Sequence, residues 1–427
     1  MSSGGWTGLA VAGVTAAYAL GSRRLSSTPL TPAIVFVGSG ILLGPAVLNI
    51  VDLRRDAAPI LALLEVTLTL VLFTDAMTVR RGDLVTGGFL PGRLLGIGLP
   101  LSLGAGWLLA LFLLPGLTVW ECALVGAVLL PTDVALEKTA ITSPRVPALV
   151  RHGLNAESGL NDGMVLPLFV LFLAAVPGTH YAEEGVTGVF WRALVLSTAL
   201  GLLAGGLGGR LLQWSRAGER GTGEWRQVYP LAVAAASYEL AVLTDGSGFI
   251  AAWAAGFAFG FALRRHPAGV ERDGPEGTAE FAGNLARLLA AISLLVFGAV
   301  LLGPALEHLN WRIVLYAVLS LTVVRMLPVA LALAGSGLRL PTVAFVGWFG
   351  PRGLASVVLA LLVVEEHVPG VELLGRVVAL TVGLSVLLHG VSAVALAERY
   401  GRWHRKAAAA TPDLREGPPV PEGSVRT

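Results

Sequence analysis

Apolar runs of about 20 residues follow one another along this chain, separated by short clusters of arginine, glycine and proline. As helix, a run of about 20 residues crosses the ~30 Å hydrocarbon core of a bilayer. The pattern predicts an all-α membrane protein with about thirteen transmembrane helices. They run approximately over 5–20, 30–50, 58–79, 91–115, 119–140, 152–176, 187–214, 227–243, 247–263, 283–303, 311–334, 341–364 and 371–397. The first, Trp6 to Leu20, has no basic flank before it and reads as a first span rather than a signal peptide.

Basic residues alternate between the two sides of this pattern. Twenty arginines and lysines fall in the loops after odd-numbered spans and in the C-terminal region, against five on the other side. The positive-inside rule then puts the N-terminus outside and the C-terminus in the cytoplasm. The tail 407–427 is rich in proline, glycine and charge and is expected to be disordered, leaving 1–406 as the membrane domain.

Composition sharpens the class. Only 14% of the 427 residues are charged, 55% are hydrophobic, and the mean hydropathy is +0.75. A soluble domain carries about a quarter charged residues. The arginines are dispersed, which excludes a nucleic-acid stripe. Cys122 is the only cysteine, so no intrachain disulfide forms. The histidines show no metal-ligand spacing, no phosphate-binding GxxxxGK[ST] loop is present, and no cofactor is expected.

Three spans carry polar residues at depths where charge is costly and functional by default. The fifth reads VWECALVGAVLLPTDVALEKTAIT. Pro131 interrupts the helix near its middle, and Thr132 and Asp133 follow. Such irregular backbone is tolerated only where protein buries it or it lines a cavity. The sixth carries Asn155, Glu157, Ser158, Asn161 and Asp162. Ser158 and Asp162 share a helical face, as do Glu157 and Asn161. Hard oxygens of this kind suit a hard cation, and burial of a carboxylate also favours proton binding. In the twelfth, Gly347, Gly350, Pro351 and Gly353 make a second break around Arg352. A buried guanidinium needs an anionic partner, and Glu157 is the expected one. Asp75 reads as a helix-end charge near Arg80, and Asn155 as a bridge between helices.

The breaks lie seven spans apart, as in inverted repeats whose discontinuous helices meet at a midplane substrate site. Two repeats of six spans, joined by the seventh, are expected. This points to a secondary transporter. An intramembrane aspartyl protease built on Asp133 and Asp162 would give no role to the second break or to Arg352.

The stretches LLPTDVAL, LNAESGLNDG, GFIAAWAAGFAFG, LLVFGAVLLGPALEHLNWR and GWFGPRGLASVVLALLVVEE resemble the bacterial NhaP-type sodium:proton antiporters of the monovalent cation:proton antiporter-1 family. The resemblance implies an NhaA-like fold with two crossing broken helices. It implies a homodimer in the cytoplasmic membrane of a bacterium, with scaffold spans at about 5–79 and 227–303, core spans at about 91–176 and 311–397, and a linker at about 187–214. By similarity, Asp162 takes either the cation or protons, and Ser158 and the backbone of Thr132 are further ligands. Asp133 sits at the crossing, Asn161 is the position that is asparagine in electroneutral relatives, and Glu157 pairs with Arg352. The implied substrates are protons and sodium, with lithium or potassium on the same scaffold as alternatives. Glu137 and Lys138 depart from the family pattern and, with Glu65, are expected to modulate the site.

Overall fold

In the computed structural model the residues described are 3–25, 28, 30–51, 53–79, 89–133, 136, 143–264, 275–411 and 414–417. The helices are α1 (Ser3–Leu25), α2 (Pro32–Leu43) and α3 (Leu53–Thr78), then α4 (Phe89–Leu113), α5 (Val119–Val128) and α6 (Ala148–Ala174). There follow α7 (Thr187–Ala217), α8 (Gly223–Val242), α9 (Gly248–Arg264), α10 (Glu280–Glu307) and α11 (Trp311–Ala332). The last three are α12 (Leu340–Trp348), α13 (Leu354–Glu365) and α14 (Val371–Ala410). Each predicted span contains a helix, and α12 with α13 forms the broken twelfth. Among the described residues, seven helices are long and apolar enough to cross a membrane.

Lengths depart from the uniform 20 residues of the sequence reading. The 12 residues of α2 rise only about 18 Å, whereas the 40 of α14 rise about 60 Å, twice the hydrocarbon thickness. The tail corrects another expectation. Residues 407–410 continue α14, and Leu414 and Glu416 are buried. The Glu416 carboxylate accepts from the backbone N–H of Arg339 at 2.9 Å and from Thr342 Oγ1 at 2.8 Å, at the start of α12. One buried anchor orders a segment whose composition alone reads as disordered. Residues 418–427 lie outside the described set.

Glycine spacing builds the helix contacts. Gly201 and Gly205 of α7 lie on the backbone of Ala251 and Ala255 in α9, Gly256 and Gly260 of α9 on Phe73 and Met77 in α3, and Gly40 of α2 on Leu295 in α10. In each case a Cβ would meet a backbone carbonyl. Small residues four apart let backbones approach in this way, which matters where lipid gives no hydrophobic drive to association.

Two buried clusters divide along the bundle. One joins Phe73, Met77, Leu212, Val233, Phe259 and Ala286, from α3 and α7 to α10. The other joins Leu94, Val150, Val329, Phe345, Phe349 and Tyr400, from α4, α6, α11, α12 and α14. A larger cluster draws on helices of both groups, with Leu64 of α3 and Leu294 of α10 beside Val128 of α5 and Val378 of α14 among its members.

Candidate functional site

The site is made where two helices stop. Thr118 and Glu121 close a capping box that starts α5, and regular helix ends at Val128. Pro131 has no N–H to continue it and disfavours helical backbone in the residue before. The carbonyls of Leu130 and Pro131 are thereby freed. On the other side, α12 ends at Trp348, and Phe349 to Gly353 run as irregular backbone until α13 begins at Leu354.

These two irregular segments are fastened to each other. The Asp133 N–H donates to the Pro351 carbonyl at 2.9 Å. Asp133 Oδ2 accepts from the Leu354 N–H at 3.0 Å. Arg352 Nη1 donates to the carbonyls of Leu130 (2.7 Å) and Pro131 (3.3 Å), and its own N–H donates to Ser385 Oγ at 2.6 Å. A carboxylate therefore caps the positive, N-terminal end of α13, and a guanidinium covers the negative, C-terminal end of α5. Gly353 is required here, because a Cβ would collide with the Asp133 carboxylate. Gly350 is required because a Cβ would collide with the Arg325 guanidinium.

Against the crossing lies α6. Ser158 Oγ donates to the Thr132 carbonyl at 2.5 Å, and Thr132 Oγ1 is 3.2 Å from Ser158 Oγ. Asn161 Nδ2 reaches the Leu130 carbonyl (3.3 Å) and Thr132 Oγ1 (3.4 Å). Asp162, 6% exposed, follows. Asn161 Oδ1 and Asp162 Oδ1 are buried and accept no hydrogen bond. Buried polar groups are nearly always satisfied, so exceptions call for an explanation in function. Thr132, Ser158 and Asn161 are thus joined at the first break, with Asp162 one helical turn past Ser158 on α6; hard oxygens of this kind suit a monovalent cation. A cavity of about 600 Å³ reaches Asp133 from the arginine-rich end of the bundle, past Arg287, Leu294 and Leu136.

One expectation needs correction. Glu157 does not take Arg352 as its ion pair. Its two oxygens receive Nη1 and Nη2 of Arg325 at 2.6 and 3.0 Å. Arg325 stands one turn past a break in α11 at Thr322, where helical φ/ψ is lost, and its Nη2 also touches the Phe349 carbonyl at 3.3 Å. Arg352 instead finds negative potential in the freed carbonyls of the broken helix. Arg325 escaped the sequence reading although the signal was present: an arginine in the middle of an apolar span needs a counter-charge, and Glu157 is the buried carboxylate that meets it.

Asp75 lies in the last turn of α3, at the helix end where the sequence places it, and its charge, like that of Asp133, acts on Asp162. The charges acting on Asp75 are those of Asp133 and Arg287. Its backbone packs on Gly159 of α6. Glu65 stands apart from the crossing, in the company of Glu365, Glu239 and Tyr238. Glu137 and Lys138 lie outside the described residues.

Known proteins resemble this chain in sequence and in fold. The chain is 29% identical over 308 residues to the K(+)/H(+) antiporter NhaP of Alkalimonas amylolytica, covering 68% of this chain and 48% of that protein. It is 33% identical over 142 residues to a Na(+)/H(+) antiporter of Saccharomyces cerevisiae, covering 31% of this chain and 14% of that one. The chain thus spans about half the length, or less, of the curated relatives it matches. In structure it is similar to the sodium proton antiporter MjNhaP1 of Methanocaldococcus jannaschii, with a TM-score of 0.77 at 21% identity, covering 93% of this chain and 98% of that one. That likeness fixes the fold. Residues 10–399 match the family described as sodium/hydrogen exchanger, transmembrane, and the chain belongs to that family.

Proposed function

We propose that this chain exchanges a monovalent cation, sodium first, for protons across the cytoplasmic membrane of a bacterium, one for one, without catalysing a reaction. The observation that carries the reading is Asp162: a buried carboxylate with an unsatisfied oxygen, next in the chain to Asn161 and one turn past Ser158, the two α6 residues that hydrogen-bond to Thr132. Ionised, it binds the cation together with those oxygens. Protonated, it loses the charge and releases it. Moving an uncompensated charge through the bundle is costly, so only the loaded carrier crosses, with cation one way and proton the other. That competition is enough for antiport.

The mobile unit is read as the core spans, carried against a scaffold that also forms a homodimer. The separation of buried clusters between α3 with α7 to α10 and α4, α6, α11, α12 with α14 supports this division. The basic excess around Arg145, Arg399 and Arg402 supports a cytoplasmic C-terminus. Potassium is the second reading, favoured by the potassium/proton activity named for the bacterial relative.

The deciding experiment is dissipation of a pH gradient in proteoliposomes, with Na⁺, Li⁺ and K⁺ added in turn. Sodium-dependent proton flux is expected. Flux with potassium alone would select the second reading, and no cation-dependent flux from folded protein would overturn both.

A further inference from the structure

A cleft of about 650 Å³ opens between α12, the distal part of α14 and Met326 of α11, away from the helix crossing. Its walls are the rings of Phe345, Trp348, Tyr400 and Trp403. Tyr400 stacks on Phe345 at 4.3 Å and on Trp403 at 5.5 Å. The Trp348 indole N–H is held by Ser392 Oγ at 3.0 Å, and the Tyr400 hydroxyl by Thr342 Oγ1 at 3.0 Å. With those polar atoms already engaged, the cleft offers aromatic faces. An apolar groove of this kind holds hydrocarbon in preference to water.

The rim has the opposite chemistry. Ser392, Leu396, Arg399 and Trp403 line the cleft from one face of α14, and Lys406 continues that face seven residues beyond Arg399. Arg399 and Lys406 are both exposed. Among the described residues neither is in an ion pair, whereas the adjacent Arg402 turns to Glu398 at 3.8 Å. Their Cα atoms stand about 10 Å apart along the helix, a gap that two long side chains can close on a single phosphodiester.

We propose that this cleft is a binding site for an anionic phospholipid, with one acyl chain against Phe345, Trp348, Tyr400 and Trp403 and the headgroup phosphate held by Arg399 and Lys406. Hydrocarbon groove and paired cations together select a lipid: a free anion would leave the groove unfilled, and a zwitterionic lipid would gain little from the cations. A basic residue at a membrane surface is worth about 1 kcal/mol toward an anionic lipid, or about fivefold in affinity.

The test is titration of the purified full-length chain in neutral detergent with phosphatidylglycerol and with phosphatidylcholine of identical chains, read by native mass spectrometry. Phosphatidylglycerol should bind about tenfold more tightly or better. In the double variant Arg399→Ala, Lys406→Ala that preference should vanish, with the melting temperature in detergent alone unchanged. Ala344→Trp, which fills the groove from its exposed wall, should lose both lipids. Equal binding of the two lipids by the wild type overturns the proposal, as does an undiminished preference in the double variant. Displacement of phosphatidylglycerol by inorganic phosphate at equal concentration would mark a free-anion site and overturn it too. Should Ala344→Trp fail to fold, the double variant, which alters only exposed side chains, still decides.

Discussion

Glu157 and Arg325 meet through two contacts of 2.6 and 3.0 Å between side chains that are 3% and 7% exposed, 168 residues apart in the chain. Removing one partner leaves the other as a buried, uncompensated charge, at about 3–5 kcal/mol. Arg325→Ala and Glu157→Gln should each lower the melting temperature in detergent. The double variant Glu157→Leu, Arg325→Met should recover much of the loss, because a buried pair replaced by apolar groups is often neutral. A double variant as unstable as the sum of the two singles would show that the residues do not act as a pair.

Asp162→Asn should abolish cation-dependent proton flux while leaving the protein folded. The amide keeps the shape of the carboxylate and removes the charge that binds a cation or a proton. Elution as a single species with an unchanged melting temperature, together with absent flux, is the expected result. Residual sodium-dependent flux would place the exchanged charge elsewhere.

Asp75 bears on Asp162 with a like charge. Asp75→Asn removes that charge, so the flux-against-pH profile should differ from that of the wild type. An unshifted profile, measured across the same sodium gradient, would mean that the two charges are screened from each other.

Exchange should be electroneutral. Asn161 cannot ionise, Asp133 is held at the N-terminus of α13, and Glu157 is neutralised by Arg325. Among the residues of the crossing and of α6, that leaves Asp162 as the exchanged carboxylate. A potential imposed with potassium and valinomycin should leave the sodium-driven rate unchanged. A clear dependence on potential would refute one-for-one exchange, and Asp75 and Lys138 would be the first residues to neutralise.

Gly353→Ala should reduce stability and flux together, because the added carbon falls on the Asp133 side chain, 2.6 Å from its Cβ. Overpacking of this kind costs about 1–3 kcal/mol. Gly206→Ala in α7 is the control: nothing lies within 4 Å of that Cβ, and alanine is the better helix former by about 1 kcal/mol. Equal behaviour of the two variants would remove the argument that Gly353 is needed for the crossing.

The helices and both breaks were legible in the sequence because each is a local signal. Apolar length marks a span, and Pro131 or the Gly350–Gly353 stretch marks an interruption. Thr132, Ser158 and Asn161 were legible for the same reason, being polar residues on or beside those signals. Pairing is not local. Arg352 stood out because it sits in a break, whereas Arg325, the residue that pairs with Glu157, escaped notice, and the freed backbone carbonyls that satisfy Arg352 leave no mark in residue spacing. The influence of Asp75 on Asp162 depends on how α3 sits against Gly159 of α6, a packing relation that span length does not encode. The anchoring of Glu416 escaped because composition averages over a tail in which one buried side chain decides.

The mutual capping of the two breaks has a consequence for biosynthesis. The N–H group of Leu354 that Asp133 accepts from is 221 residues further along the chain. At about 5–20 residues per second, it leaves the ribosome roughly 10–45 s after Asp133. Until then α5 waits in the bilayer with two bare carbonyls and an uncapped carboxylate, each orphan group costing several kcal/mol in hydrocarbon. The nascent N-terminal half is therefore a natural target for membrane quality control. A chain truncated after α11 should show a much shorter pulse–chase half-life than the full-length protein, and equal half-lives would show that the first break is sheltered before its counterpart arrives.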